Sequence, residues 1–106
     1  MTTPPHILLV EDDENDVFFL KRAFAGAGVD ADIHVACDGR EALDYLQITK
    51  DGGRSGGALP VLVLLDLKIP YVPGLEVLRL ISAERRLSSV IVVVLTWIYM
   101  ANHVRS

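Results

Sequence analysis

The sequence has 106 residues, of which 51% are hydrophobic and 23% are charged, a composition that fits one small globular domain and excludes a disordered chain. The formal net charge of −4, with no basic run, argues against nucleic acid or an anionic membrane as the partner. The single cysteine, Cys37, cannot form an internal disulfide and the N-terminus lacks a signal-peptide pattern, so we expect a cytoplasmic protein.

The first half of the chain predicts two strand–helix units. The apolar run His6–Val10 is rich in branched side chains and predicts a strand buried on both faces. Apolar residues recur at helical spacing from Asp13 to Ala27, and Gly28 predicts the end of that helix. Ile33–Gly39 alternates as a second strand and turn, and Arg40–Ile48 returns to helical spacing.

The second half predicts a loop and then strand, helix and strand. Lys50–Pro60 contains four glycines and a proline, which predicts a surface loop. Val61–Leu67 predicts a third buried strand, Leu75–Ala83 a third helix, and the wholly apolar Val90–Leu95 a fourth strand buried on both faces. The longest nearly apolar stretch, Val90–Ala101, is too short to span a bilayer, so we expect no membrane segment.

The predicted order βαβαβαβ, with strands this apolar, indicates a single α/β domain with a parallel sheet covered by helices on both faces. In such sheets the functional site lies at the carboxyl ends of the strands. The first strand ends at Glu11 and Asp12, the third at Asp66 and the fourth at Thr96. If the first, third and fourth strands are neighbours, the three carboxylates and the Thr96 hydroxyl meet at one rim. Carboxylates this close repel one another unless a cation lies between them, and Mg²⁺ prefers such oxygen ligands, so this arrangement predicts a magnesium site.

These segments resemble the receiver domain of bacterial two-component response regulators, most of all small single-domain receivers such as those paired with bacterial phytochromes. The similarity runs from Pro5 to Thr96. The matching segments, in chain order, are ILLVEDDENDV, HVACDGREALDYL, VLVLLDLKIP, GLEVLRLI and VIVVVLT.

The resemblance implies a flavodoxin-like, doubly wound fold with the family's strand order 2-1-3-4-5. It implies that Asp66 is the phosphoacceptor, attacking a phosphohistidine on a sensor histidine kinase, which is an established use of a carboxylate nucleophile. Glu11 and Asp12 match the family's acidic pair and, with Asp66, would hold Mg²⁺. The protein would then be a signalling module rather than an enzyme, and it would act through a downstream protein target.

Four further positions match the family. The backbone carbonyl of Lys68 matches a metal-binding carbonyl two residues beyond the phosphoacceptor. Thr96 matches the switch hydroxyl that bonds the phosphoryl group, and Pro70 and Gly74 match the loop beyond the phosphoacceptor.

The similarity ends after Thr96. The family usually places a small residue next, where this chain has Trp97, and its fifth strand ends in a lysine, whereas no lysine follows Lys68 here. We therefore expect a single receiver domain over residues 1–106 that is truncated, with an atypical tail at 97–106. The fold would keep four of five strands in the order 2-1-3-4, and phosphoryl transfer would be impaired.

A missing fifth strand would leave the fourth strand at the edge of the sheet. Val90–Leu95 is apolar and uncharged, and an edge of this kind pairs readily with another chain. We expect a homodimer or oligomer through this edge or through the adjoining Trp97–Met100. A tail that folds back over its own sheet is the alternative.

Two other functions fit parts of the pattern. A Mg²⁺-dependent phosphohydrolase of the haloacid-dehalogenase type also forms an aspartyl phosphate, but it needs a second aspartate where this chain has Lys68. A non-phosphorylated interaction domain that oligomerises is favoured by the absent lysine. The retained Glu11, Asp12 and Asp66 favour the phosphoacceptor instead.

The acids near the first helix also have a structural interpretation. Asp12 or Asp13 would cap the helix, and Asp13, Glu14 and Asp16 would form its solvated first turn. Capping does not explain Glu11, which lies directly at the end of a strand. Separately, the one cysteine is expected to be a small buried apolar side chain.

Overall fold

The computed structural model describes residues 4–48 and 59–95, so most of the predicted glycine-rich loop lies outside the described residues. In chain order the elements are β1 (His6–Val10), α1 (Glu14–Gly26), β2 (Asp32–Ala36), α2 (Gly39–Tyr45), β3 (Leu62–Asp66), α3 (Gly74–Ala83), a 3₁₀ turn (Arg85–Leu87) and β4 (Ile91–Leu95). No helix within these ranges has the length and apolar character needed to cross a membrane.

The four strands form one parallel sheet in the order β2-β1-β3-β4, which confirms the predicted order. β1 pairs on both sides, with Val10 in register with Ala36 of β2 and with Leu65 of β3. β3 pairs in turn with β4, where Asp66 lies opposite Leu95. Because all four strands run the same way, their carboxyl ends lie along one rim of the sheet.

The core consists of two apolar clusters, one on each face of the sheet. On one face, Leu8 and Val63 of the strands pack with Val77 of α3, and all three are fully buried. On the other face, Leu20 of α1 packs against strand residues that include Leu9. The alternating side chains of each central strand are thus buried on both sides, and the predicted doubly wound architecture is confirmed.

Helix α1 begins and ends where its flanking residues satisfy the backbone. Asp13 is the N-cap, and its Oδ1 accepts hydrogen bonds from the amides of Asn15 at 2.8 Å and Asp16 at 3.3 Å. Gly28 follows the helix with a φ of 76°, a left-handed conformation that glycine adopts without strain. The capping role considered for Asp12 and Asp13 therefore belongs to Asp13.

Helix α2 is shorter than predicted, because it ends at Tyr45 and not at Ile48. Gln47 has a φ of 58°, and a left-handed residue cannot continue a right-handed helix. The guanidinium of Arg86 donates to the carbonyl of Leu46 and, at 3.5 Å, to that of Gln47. A distant arginine thus satisfies carbonyls at this helix end, which no local pattern indicates.

Strand β4 is not buried on both faces, so this part of the prediction is wrong. Ile91 is 64% exposed and Val93 is 42% exposed, while only Leu95 in this strand is buried. Ile91 and Val93 are in register with Leu62 and Leu64, which face α1. The cluster that α1 covers includes Leu95 but neither Ile91 nor Val93, so no described helix covers this part of β4.

The expected burial of Cys37 is also wrong, since its side chain is exposed. β2 ends at Ala36, and Cys37 lies in the turn before Asp38, the N-cap of α2, so the sheet no longer directs its side chain inward. Slight desolvation and the negative charges of Glu41 and Asp38 raise the pKa of the thiol, which disfavours the thiolate.

Candidate functional site

Three carboxylates converge at the rim formed by the carboxyl ends of β1 and β3. Val10 and Leu65 are paired, so the residues that follow them along the two strands, Glu11 and Asp66, lie side by side. Carboxylate oxygens of Glu11, Asp12 and Asp66 all lie within 4.8 Å of one another. The predicted convergence of these three residues is confirmed.

Glu11 is the buried member of the group, with 2% of its surface exposed. Its Oε2 accepts a hydrogen bond from the amide of Asp13 at 3.2 Å, whereas its Oε1 is buried and has no hydrogen-bond partner among the described residues. Burial, supplemented by the negative charge of Asp66, raises the pKa of Glu11 from 4.5 to about 8, although the amide of Asp13 opposes the shift. A carboxylate in this environment must be neutralised by a proton or by a bound cation.

Asp12 is exposed, and Asp66 is half-buried, so solvent and a reactant can reach both. Oδ1 of Asp66 accepts a hydrogen bond from the amide of Lys68 at 3.0 Å, so one of its oxygens is oriented by the loop that follows β3. The Lys68 side chain is exposed. Burial and neighbouring acids raise the pKa of Asp16, and the positive charge of Lys68 partly opposes this shift.

This group of side chains fits a hard divalent cation. All three offer carboxylate oxygens, two of them remain accessible, and the buried Glu11 Oε1 lacks any other partner. Mg²⁺ binds one or two carboxylates and fills its remaining positions with water, phosphate or carbonyl oxygens, so a partly open cluster suits it. Glu11, Asp12 and Asp66 would hold the ion, with the carbonyl of Lys68 as the predicted fourth ligand.

The loop from β3 to α3 approaches this site through Gly74. A Cβ atom on Gly74 would lie 2.6 Å from Cα of Leu67 and 2.9 Å from the carbonyl oxygen of Asp66, so only glycine permits this contact. The predicted loop residue Pro70 accepts a hydrogen bond through its carbonyl from the amide of Gly39 at 3.4 Å. Gly74 therefore packs against the backbone of Asp66, whereas Pro70 contacts the beginning of α2.

Two features of this region were not predicted. Tyr71 has a φ of 69°, and the guanidinium carbon of Arg40 lies 4.0 Å from the centroid of its ring. A Cβ atom on Gly39 would lie 2.4 Å from the carbonyl oxygen of Val72, which shows how closely α2 approaches the loop. The sequence shows the glycine after Asp38 as a turn signal, but it does not indicate which distant loop packs there.

The predicted switch residue Thr96 lies outside the described residues, as do Trp97 and the rest of the predicted tail. β4 ends at Leu95, opposite Asp66, so the described part of the strand reaches the rim at which the carboxylates meet.

The family model of the response regulator receiver domain matches residues 7–105 of this chain. The probable methanogenesis regulatory protein FilR2 of Methanothrix harundinacea is 48% identical over 90 residues, which cover 85% of this chain and 56% of that protein. Response regulator Rcp1 of Synechocystis sp. is 36% identical over 93 residues, which cover 88% of this chain and 62% of that protein. The chain thus spans less than two thirds of the length of either relative.

Solved structures of similar proteins share this overall fold. The bacteriophytochrome response regulator AtBRR superposes with a TM-score of 0.76 at 34% identity, covering 98% of this chain and 77% of AtBRR. The phosphorylated cyanobacterial phytochrome response regulator RcpA superposes with a TM-score of 0.74 at 35% identity, covering 87% of this chain and 64% of RcpA. The Mn²⁺-bound form of Rcp1 superposes with a TM-score of 0.73 at 34% identity, covering 86% of this chain and 64% of Rcp1.

Proposed function

Because this chain belongs to the response regulator receiver family, we propose that it accepts a phosphoryl group on Asp66 from a sensor histidine kinase. Receiver domains are phosphoacceptor signalling modules and not enzymes. The observation that carries the proposal is the convergence of Glu11, Asp12 and Asp66 within 4.8 Å at the carboxyl ends of β1 and β3.

Asp66 is the member of the cluster suited to be the nucleophile. It terminates a central strand and is half-buried, and the amide of Lys68 fixes one of its oxygens at 3.0 Å, which leaves the other oxygen to react. Attack of that oxygen on the phosphorus of a phosphohistidine forms the new O–P bond. The P–N bond breaks, its electron pair stays with the imidazole, and the product is an acyl phosphate.

The other two carboxylates would bind the cation that this transfer needs. Glu11 and Asp12 lie close to the Asp66 carboxylate and, with the carbonyl of Lys68, would complete an oxygen ligand set. When bound, Mg²⁺ neutralises negative charge shared between these carboxylates and the phosphoryl oxygens. A Mn²⁺-bound form of the related Rcp1 and a phosphorylated form of the related RcpA support both parts of this assignment.

One residue beyond the cluster has a proposed role in the transfer, and one residue that the family uses is missing. Thr96 follows β4 directly and would donate its hydroxyl to the phosphoryl group. No lysine follows Lys68 in this sequence, so a cation that stabilises the phosphoryl charge in the family is absent from these 106 residues. We therefore expect phosphorylation of this chain to be slower than that of a receiver that contains the lysine.

The kinase needs a surface beside the rim, and α1 offers one. Phe18 is 61% exposed and Phe19 is 59% exposed, and with Arg22 and Ala23 they line a groove of about 380 Å³. The helix begins at the rim that holds the acidic cluster, so a protein that delivers a phosphoryl group to Asp66 would bury this aromatic pair. The relatives named after phytochromes favour a phytochrome-type sensor kinase in the cytoplasm, with a separate downstream protein as the target.

A second proposal is self-association through β4. Ile91 and Val93 are exposed, and Ile91–Leu95 carries no charge that would oppose pairing with a second copy. Light scattering after size exclusion tests this: a dimeric or larger mass that falls in Val93→Lys, with unchanged circular dichroism, is expected. A monomeric mass at tens of micromolar would contradict it.

The phosphoacceptor proposal is tested by incubation with acetyl phosphate and Mg²⁺ followed by intact mass measurement. We expect one added phosphoryl group, absent from Asp66→Asn and strongly reduced when the metal is chelated. Asp13→Asn is the matched control, because it removes a nearby charge that lies outside the proposed ligand set and keeps a good N-cap. An unchanged mass in the native chain, or equal labelling of Asp66→Asn, would contradict the proposal.

A further inference from the structure

The loop between β3 and α3, residues 67–73, contains a residue in an unfavourable conformation. Tyr71 has a φ of 69°, and a residue with a Cβ atom is disfavoured in the left-handed region. Its side chain is 70% exposed, so burial contributes little to holding it there. Other contacts must maintain this conformation, and a maintained outlier beside a functional site suggests a role in that site.

Those contacts come from the beginning of α2. The guanidinium carbon of Arg40 lies 4.0 Å from the centroid of the Tyr71 ring, within the range of a cation–π interaction. Just before it, the Gly39 amide donates to the Pro70 carbonyl at 3.4 Å, and the Gly39 Cα approaches Val72 more closely than any larger residue permits. α2 therefore contacts the loop at Tyr71 and on both sides of it.

The same loop is joined to the acidic cluster at its other end. The Lys68 amide donates to Oδ1 of Asp66 at 3.0 Å, and Ile69 next to it is 7% exposed and belongs to the core. Gly74, which closes the loop, packs on the backbone of Asp66 and Leu67. Only Ile69 and Pro70 separate Tyr71 from Lys68, so the conformation at Tyr71 constrains the nearby Lys68 carbonyl.

We propose that Arg40 is a positioning residue for the cation site. Through Tyr71 it holds the 67–73 loop in the conformation that directs the Lys68 carbonyl and the Asp66 carboxylate toward a divalent cation. The inference rests on the proposed function, because it assumes that Glu11, Asp12 and Asp66 bind Mg²⁺. It assigns a role in metal binding to a side chain that does not contact the metal.

Charge alone predicts the opposite effect, which makes the proposal testable. Removing a positive charge from the protein makes the surroundings of an acidic site more negative and should strengthen Mg²⁺ binding. Loss of the positioning contact should weaken it instead. Arg22 provides the matched control, because its guanidinium carbon lies 5.6 Å from the Phe18 ring centroid on α1, away from the loop.

The experiment is calorimetric titration with Mg²⁺ of the native chain and of five variants. Arg40→Ala and Tyr71→Ala should weaken binding about two- to fivefold, the range that an exposed cation–π contact supplies. Arg40→Lys and Tyr71→Phe keep the cation and the ring, so both should bind close to the native affinity. Arg22→Ala should bind as tightly as the native chain or more tightly.

A second measurement uses the metal-free protein. The amide resonances of Lys68 and Ile69 should shift in Arg40→Ala and Tyr71→Ala and should keep their native positions in Arg40→Lys and Arg22→Ala. This readout reports the loop conformation directly, and the Tyr71 variants provide it even where Arg40→Ala fails to fold.

Native or tighter Mg²⁺ binding by Arg40→Ala, or equal weakening in Arg22→Ala, would overturn the positioning role while leaving the proposed function intact. No Mg²⁺ binding by the native chain would contradict the proposed function, and the positioning role with it. The two failures are therefore distinguished within one set of titrations.

Discussion

Glu11 and Asp66 are adjacent carboxylates at the ends of neighbouring parallel strands, but their environments differ. Glu11 is 2% exposed and its pKa is raised to about 8, whereas Asp66 is half-buried and receives the Lys68 amide. One side chain is therefore buried where a cation or a proton must neutralise it, and the other is accessible to a phosphoryl donor. In the proposed function, this difference suits Glu11 to cation binding alone and Asp66 to nucleophilic attack in addition to cation binding.

Replacing Glu11 with glutamine should stabilise the metal-free protein at alkaline pH. Because the folded-state pKa of about 8 lies above the unfolded value of 4.5, the folded state binds more protons between these values and native stability falls as pH rises through them. We expect Glu11→Gln to be more stable than the native chain by about 1–3 kcal/mol near pH 9, and the difference to shrink near pH 5.

Chemical denaturation in the presence of a chelator measures this difference. Glu14→Gln is the control, because Glu14 lies in the exposed first turn of α1 and its loss should cost about 0.3–1 kcal/mol. A Glu11→Gln variant that is less stable than the native chain near pH 9 would show that the buried charge is compensated within the metal-free protein.

Mg²⁺ affinity should increase with pH up to about 8. Protonated Glu11 cannot act as a ligand. Below the raised pKa of about 8, each unit by which the pH falls should therefore lower the Mg²⁺ affinity by up to about tenfold. Asp12→Asn should abolish binding, and Asp13→Asn should not, because Asp13 is committed to capping α1. Calorimetry at several pH values decides the matter, and unchanged binding by Asp12→Asn would refute the ligand assignment.

Gly39→Ala should destabilise the fold by about 1–3 kcal/mol, because the added Cβ would lie 2.4 Å from a backbone carbonyl oxygen of Val72. Gly26→Ala at the end of α1 meets no atom within 4 Å and should be neutral or stabilising by up to about 1 kcal/mol. Thermal unfolding of both variants tests the contrast, and equal stability would show that the α2–loop contact is not close in solution.

Phe18→Ala with Phe19→Ala should slow phosphoryl transfer from the cognate kinase while leaving labelling by acetyl phosphate unchanged. The small donor needs only the site itself, whereas the kinase would bury the aromatic pair, 61% and 59% exposed. Transfer rates with both donors separate the two effects. Equal loss with both donors would assign the phenylalanines to folding, and no loss with either would remove them from the kinase surface.

The fold was largely predictable because each central strand is a near-continuous apolar run. The four parallel strands and the placement of helices on both faces follow from that pattern. The order of the strands came from the resemblance to receiver domains, and with that order Glu11, Asp12 and Asp66 meet at one rim. The exposure of Ile91 and Val93 was not predictable, because an apolar run does not show whether a covering helix is present.

The contacts between residues far apart in the chain could not be predicted from the sequence either. The cation–π pair of Arg40 and Tyr71, and the carbonyls of Leu46 and Gln47 that accept from Arg86, join segments separated by about 30 to 40 residues. No local spacing rule links such positions. The proposed ligands of the site could be predicted because strand ends converge. The residues that position the supporting loop could not be predicted in this way.

Borohydride reduction of the phosphorylated protein tests the central claim most directly. Borohydride reduces an acyl phosphate to an alcohol, so a phosphorylated aspartate becomes homoserine and peptide mass mapping identifies its position. After incubation with acetyl phosphate and Mg²⁺, we predict homoserine at position 66 and its absence from Asp66→Asn. Reduction at Glu11 or Asp12 instead, or no reduced residue in the native chain, would contradict the assignment of Asp66 as the phosphoacceptor.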